Sequence, residues 1–269
     1  MASTDISFLQ INLHNSYRAQ EDLEYRISEI KCPAIAFIQE PPMPKKKIQY
    51  PKNFENFLAP SKARVGLFIP KNLNFTQIAS LTTINSSVAL GKLNSKDIIL
   101  ASIYIPPKTK TTPTWLTSII EYATDSKTGL LLAGDFNAHS PLWGEAQTKI
   151  NKCGELIEDL IVTHNLNIHN IGHVPTFRNS RDFTSCVDLT LSYKLPFPIQ
   201  EWKVHDHEMN YSDHNTITYK TTNLDLLIPS FRPWHQIDWE KFTSMLGQKT
   251  FSLPQIINHT GLDLSLIHI

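Results

Sequence analysis

Apolar residues along the chain recur with two periods, two and about 3.6, and switch between them every ten to twenty or so positions. In Asp5–Leu13, "DISFLQINL", apolar and polar residues alternate, which predicts a half-buried strand. Asn15 or Ser16 can cap a helix behind it, in which Ala19, Leu23, Ile27 and Ile30 share one face. "AIAFIQE" (Ala34–Glu40) predicts a short buried strand that Pro41 and Pro42 stop. "RVGLFIP", "SSVALGKL" and "DIILASIYIP" predict further strands, rich in β-branched residues. A second helix is predicted over Pro113–Thr124, with Trp115, Leu116, Ile119, Ile120 and Ala123 on one stripe. "GLLLAGDFN" predicts the next strand, and Cys153–Asn165 a third helix with Leu156, Ile157, Leu160 and Ile161 inward. "CVDLTLS" and "HNTITYKT" predict the last strands.

Strands in direct succession, with helices between others, predict an α/β fold of two packed mixed sheets with helices outside. A doubly wound parallel sheet would alternate strand and helix throughout. The predicted domain spans 1–222. Over 223–269 the pattern changes to proline breaks and one amphipathic stretch near Trp239–Leu246, read as a linker.

Composition narrows the classes. At 269 residues and 41% apolar, the chain can bury one large core. Its formal net charge is zero, so no overall basic field announces a nucleic-acid partner. Cys32, Cys153 and Cys186 are too scattered for a metal knot or a disulfide framework, which points to a reducing compartment. No apolar run reaches transmembrane length, and the N-terminus lacks the regions of a signal peptide, so no membrane partner is expected.

The candidate chemistry lies where strands stop. Asn12 ends the first strand, Glu40 the second, and Asp135 with Asn137 the "LLLAGDFN" strand. Asp188 opens "VDLTLS", and "YSDHN" brings Ser212, Asp213 and His214 before the last strand. Any one of these reads as a turn former or a solvated carboxylate. As a set they fit one hard-cation site. Mg²⁺ takes oxygen ligands and commonly only one or two carboxylates, leaving the others and a histidine for proton transfer.

Taken in order, "QINL", "FIQEP", "SIYIPP", "GDFNAHSPLWG", "VDLTLS" and "SDHN" resemble the motif series of the exonuclease–endonuclease–phosphatase superfamily. "GDFNAHSPLWG" with "QEP" resembles more closely the apurinic-like endonuclease domain of non-LTR (LINE-type) retrotransposon polyproteins. The resemblance covers roughly Ile6 to Tyr219. "RPWHQIDWEKF" resembles the linker leading to a reverse transcriptase in such polyproteins.

The resemblance implies a four-layered α/β sandwich with the site at one rim, and Mg²⁺-dependent cleavage of a DNA phosphodiester bond, with Mn²⁺ as a substitute. It implies double-stranded DNA and a reverse transcriptase domain of the same polyprotein as partners. Synthesis in the cytoplasm and action in the nucleus follow from the same source. By position, Glu40 matches the principal metal carboxylate, with Asn12 and Asp213 beside the metal. Asp135 matches the group that positions or deprotonates the attacking water, and Asn137 its orienting amide. His214 matches the histidine facing the phosphate, Asp188 its paired carboxylate, and Tyr104 a phosphate contact. Ser212 and Thr176 match secondary phosphate-side contacts.

Other residues have weaker claims. Arg178 and Arg181, in "TFRNSRDFTS", are expected to contact DNA. His139 and Trp143 are expected to pack the turn after Asp135. Lys45–Lys47 read as a solvated loop. His205, His207 and His214 offer no closed tetrahedral spacing, so zinc is not expected. Leu264–Ile269, "LSLIHI", are compatible with translation of a common sequencing adaptor, so the natural chain is expected to continue differently after Asp263. Two other readings compete: a host repair nuclease or phosphoesterase of the superfamily, and an inactive DNA-binding remnant. "NAHSPLWG" and "RPWHQIDWEKF" argue against the first. The full set of site residues argues against the second.

Overall fold

A computed structural model describes residues 5–30, 32–42, 53–59, 62–93, 96–144, 148–206 and 211–221. In chain order the strands are β1 (Ile6–Asn12), β2 (Ala34–Gln39), β3 (Phe54–Leu58), β4 (Val65–Pro70), β5 (Thr76–Gln77), β6 (Ser86–Leu93), β7 (Lys96–Tyr104), β8 (Gly129–Asp135), β9 (Asn167–Ile168), β10 (Phe177–Arg178), β11 (Thr184–Ser185), β12 (Asp188–Tyr193), β13 (Gln200–His205) and β14 (Thr216–Thr221). The helices are α1 (Tyr17–Glu29), α2 (Thr114–Asp125) and α3 (Lys152–His164). Ser16 caps α1 by accepting from the Ala19 N–H, and Asn151 caps α3 by accepting from Gly154.

The strands form two six-stranded mixed sheets, ordered β13-β14-β1-β2-β4-β3 and β5-β6-β7-β8-β12-β9, with β10–β11 as a separate ribbon. Three apolar clusters set the layers. Leu9, Ile11, Ala36 and Ile38 pack under Leu23 and Ile27 of α1. Phe8, Phe37, Leu100, Leu131 and Ile217 fill the space between the sheets. Ile99, Leu130 and Leu191 pack under Ile119 and Ile120 of α2 and Ile157 of α3. The order is helix, sheet, sheet, helix, a four-layered sandwich. β1, predicted as half-buried, is buried on both faces from Phe8 to Asn12. Its polar alternates do not face water; Gln10 and Asn12 point between the sheets, where Gln10 bonds Gly134 and Leu189 and Asn12 bonds Asp135.

The helix bounds agree with prediction to within one or two residues. The strands without a predicted counterpart are edge pieces or short pairs. β3 carries no clean alternation, and β13 is interrupted by a register shift between Gln200 and Lys203. Half-exposed edges need not alternate, so the period-two signal fades there. Among the described residues no helix is long and apolar enough to cross a membrane. They all fall in one compact unit, Met1–Arg232. The predicted linker, with its amphipathic stretch near Trp239–Leu246, and Leu264–Ile269 lie outside the described residues.

Candidate active site

One end of the cleft between the sheets turns polar, and strand direction explains why. β1 and β2 are parallel, as are β7 and β8, so two pairs of C-terminal ends share a rim. β12 and β14 run antiparallel to their neighbours and bring their N-terminal ends to it. With side chains alternating faces, each inter-sheet column begins apolar and ends polar. β1 runs Phe8, Gln10, Asn12; β2 runs Phe37, Gln39; β8 runs Leu131, Ala133, Asp135.

Register then sets the pairs. Asp188 lies directly opposite Asp135 across the β8–β12 ladder. Asp188 Oδ2 lies 2.9 Å from His214 Nδ1. The other ring nitrogen, Nε2, stands 3.9 Å from Asp135 Oδ2 and 3.9 Å from Asp213 Oδ1. Asn12 Nδ2 donates to Asp135 Oδ2 at 3.0 Å, and the Asn137 N–H donates to Oδ1 at 2.9 Å. Phe177 packs edge-on against the His214 ring, 4.9 Å between centroids. Asp135, Asp188 and His214 are all buried.

Burial alone would lower the His214 pKa. The charge and hydrogen bond of Asp188 outweigh it, helped by Asp135 and Asp213, and raise it to about 9. The ring is an imidazolium at neutral pH. Burial, then the charge of Asp188, pushes Asp135 up to about 7, while His214 and two hydrogen bonds oppose the rise. Tyr104 ends β7, and burial followed by the charges of Glu40 and Asp135 raises its hydroxyl. That hydroxyl donates to Glu40, and Arg64 stands 5.5 Å from the ring centre. Glu40 carries a left-handed φ of 44°, held by its own N–H donating to Arg64 and its carbonyl accepting from Asn15. A non-glycine residue at such an angle costs about 1–3 kcal/mol, which tertiary contacts must sustain.

The predicted residues divide into two groups. Asn12, Asp135, Asn137, Asp188, Asp213, His214 and Ser212 belong to one bonded cluster, with Glu40 and Tyr104 against it. Thr176, expected on the phosphate side, is fully buried. Its hydroxyl accepts from the N–H groups of Val187 and Asp188, at 3.1 Å each, and so orients Asp188 from behind. Ser212 Oγ donates to the Asn12 carbonyl at 2.6 Å and ties the last motif to the first. Arg178 and Arg181 stand outside the cluster on the exposed β10–β11 hairpin. That hairpin is fixed to the site by the Arg178 N–H donating to the Asp213 carbonyl. Trp143 is buried and donates to the Ala138 carbonyl, as a packing residue does. His205 bonds Thr218, while His207 and Lys45–Lys47 lie outside the described residues.

Sequence reading missed three supports. Gln10 Nε2 donates to the Gly134 and Leu189 carbonyls while its Oε1 accepts from Thr190. Gln39 Nε2 donates to Ser102 across the sheets. A glutamine in an alternating strand looks like a solvent-face residue, so only the apolar column before it signals otherwise. Asn151 is the third, legible in sequence only as a helix cap.

A divalent cation suits this donor set. Asp188 Oδ1 and Asp213 Oδ1 are buried and accept no hydrogen bond among the described residues, although His14 Nδ1 stands 3.4 Å from the latter. Asp135, Asp188 and His214 offer ligand atoms all within 4.8 Å of one another. Within that group His214 is a poor metal ligand, because its Nδ1 is engaged with Asp188 and its carboxylate neighbours favour the protonated ring.

Comparison with known proteins bears on the fold. A family model described as Endonuclease-reverse transcriptase matches residues 98–218. That stretch is similar to this family, and the fold is that of the exonuclease–endonuclease–phosphatase superfamily. Among solved structures it is similar to the endonuclease domain of TRAS1, a telomere-specific non-LTR retrotransposon. The two are 26% identical with a TM-score of 0.69, over 82% of this chain and 100% of that one. The AP endonuclease LMAP from Leishmania major shares the fold at 12% identity and a TM-score of 0.62, over 81% and 88% of the two chains. The catalytic domain of Xenopus laevis APE2 does so at 12% and 0.55, over 80% and 91%. No curated protein sequence matches. The domain is an α/β nuclease fold of this superfamily with a buried Asp–Asp–His group.

Proposed function

We propose that this endonuclease-family domain nicks one strand of double-stranded target DNA and leaves a 3′ hydroxyl that primes reverse transcription. The observation that carries this reading is the imidazolium of His214 held between Asp188 and Asp135 at the end of the inter-sheet cleft. Hydrolysis of a phosphodiester gathers negative charge on the phosphate oxygens. A fixed cation aimed there binds the transition state better than the ground state. Asp188 takes the Nδ1–H of His214, which leaves the Nε2–H for a phosphate oxygen. Asp135 accepts the proton of the attacking water, with Asn137 and Asn12 fixing its two oxygens. The water oxygen becomes part of the 5′ phosphate, and the leaving 3′ oxygen takes up a proton. Tyr104 is placed to contact the same phosphate.

Glu40, Asn12 and Asp213 would hold a Mg²⁺ ion, with Mn²⁺ as substitute. When bound it supplies charge neutralisation at the phosphate and a lowered pKa for bound water. Arg178 and Arg181 would meet the DNA beside the scissile bond. In the full-length polyprotein the partner is a reverse transcriptase domain, and the site of action is the nucleus.

A plasmid-nicking assay tests the reading. Supercoiled DNA should relax to the open circle with Mg²⁺ and stay supercoiled in EDTA. Glu40→Ala and His214→Ala should each lose about 10²–10⁴-fold in rate. Activity that survives EDTA, or survives in both variants, overturns the mechanism. Abasic duplex run alongside intact duplex separates the repair reading: a strong preference for abasic DNA would favour it.

A further inference from the structure

We infer that Asn151, the cap of α3, is the positioning residue for the Asp135–Asn137 turn, and that it acts through its amide donor rather than its capping oxygen. The inference rests on the nuclease reading of Asp135 and Asn137.

Asn137 sits in a left-handed conformation, φ 47°. This bend lets its N–H reach back to Asp135 Oδ1 and sends its Nδ2 to the Ile105 carbonyl at 3.0 Å. Asparagine tolerates that conformation but does not dictate it. Asn151 Nδ2 donates to the Asn137 carbonyl at 3.0 Å. Asn151 Oδ1 accepts from the His139 N–H at 3.0 Å and the Gly154 N–H at 2.7 Å. The Asn151 N–H donates to the His139 carbonyl at 3.2 Å. Two N–H donors at the oxygen and one carbonyl at the nitrogen fix which way the carboxamide points.

The first turn of α3 is pressed onto the same segment. A Cβ on Gly154 would stand 2.0 Å from the His139 carbonyl oxygen. Cys153 Sγ donates to the Phe136 carbonyl. One side chain therefore does two separable jobs. Its oxygen caps a helix, and its nitrogen holds the carbonyl of the residue whose N–H orients Asp135.

Asn151→Asp separates them. The carboxylate keeps the capping oxygen and suits a helix N-terminus, so Tm should hold or rise. The donor to Asn137 is replaced by an oxygen that repels its carbonyl. We expect kcat for plasmid nicking to fall about tenfold or more with KM changed by less than about twofold, as misplacement of a reacting group does. Asn151→Ala should lose both Tm and kcat. Asn165→Ala, at the far end of α3 about 20 Å away, should lower Tm and leave kcat alone. Amide hydrogen exchange gives a readout free of catalysis: Asn137 should exchange faster in Asn151→Asp while Gly154 stays protected. Wild-type kcat together with unchanged Asn137 exchange in Asn151→Asp overturns the inference, as does an equal kcat loss in Asn165→Ala. If the wild-type protein nicks nothing, the nuclease reading fails, and the exchange data still decide whether Asn151 sets the turn.

Discussion

His214 carries its proton because Asp188 stands 2.9 Å from one ring nitrogen and two more carboxylates stand 3.9 Å from the other. Burial works against that proton, and the neighbouring charges overcome it, giving a pKa of about 9 against 6.5 for a free imidazole. The folded state thus binds the proton more tightly than the unfolded chain. The resulting stabilisation is fully present below about pH 6.5 and is lost as pH rises through about 9. In EDTA, urea unfolding should show stability falling across that window by about 3 kcal/mol, at about 1.4 kcal/mol per pH unit. Asp135 acts in the same direction at lower pH. Burial and Asp188 raise it from 3.8 to about 7, so its ionisation weakens the fold as pH climbs between those values. Asp188→Asn removes the main support of the imidazolium and should flatten the upper part of the curve. It should also move the alkaline limb of kcat to lower pH. Stability that stays level from pH 6.5 to 9 in the wild-type protein would rule out the buried imidazolium.

At the scale of elements, Asp135 and Tyr104 end neighbouring parallel strands whose backbones approach closely at Gly134. A Cβ there would lie 1.9 Å from the Ile103 carbonyl oxygen, and that oxygen is backbone, so no rotamer change relieves the clash. Gly134→Ala should cost about 3 kcal/mol or more, read as a lower urea midpoint with an unchanged slope. Gly172→Ala is the comparison: its φ is 78° and nothing lies within 4 Å of the added Cβ, so it should cost only about 1 kcal/mol. Equal losses in the two would mean that β7 and β8 are less tightly joined at the rim. The elements that position the site are also the ones most legible in sequence. β2, β7 and β8 are central strands with long apolar runs and β1 is a central alternating one, so their ends, and the polar residues there, stand out. β13 and β3 lie at sheet edges and carry no such signal. Short-range patterns do not disclose pairing between distant segments. Asp188 opposite Asp135, Thr176 behind Asp188 and Asn151 beneath Asn137 each depend on contacts that only the folded register creates.

For the whole molecule, the decisive quantity is charge. Lys and Arg number 25 and Asp and Glu number 25, so the formal net charge is zero, and the site itself is rich in carboxylates. If DNA is the substrate proposed above, long-range attraction to it is weak, and affinity comes from a few local contacts around the cleft. Arg178 and Arg181 sit on a hairpin that is bonded to the Asp213 backbone, so a duplex held by the hairpin would lie across the site. Each phosphate neutralised on duplex DNA adds about 0.9 to the slope of log K against log salt. A protein of this balance should show a slope of only about −2 to −4, well short of the roughly −10 of a strongly basic repressor. Arg178→Ala should reduce the slope by about 1 and weaken binding alike on every sequence, if the side chain meets phosphate. Arg178 also lies 3.8 Å from Asp182, an exposed pair worth little by itself, so its loss should leave Tm nearly unchanged. Filter binding or fluorescence anisotropy in Ca²⁺, with salt varied from 50 to 200 mM as is usual for such slopes, measures both quantities. An unchanged slope in Arg178→Ala and in Arg181→Ala would remove the hairpin from the DNA interface and leave the cleft rim to supply the contacts.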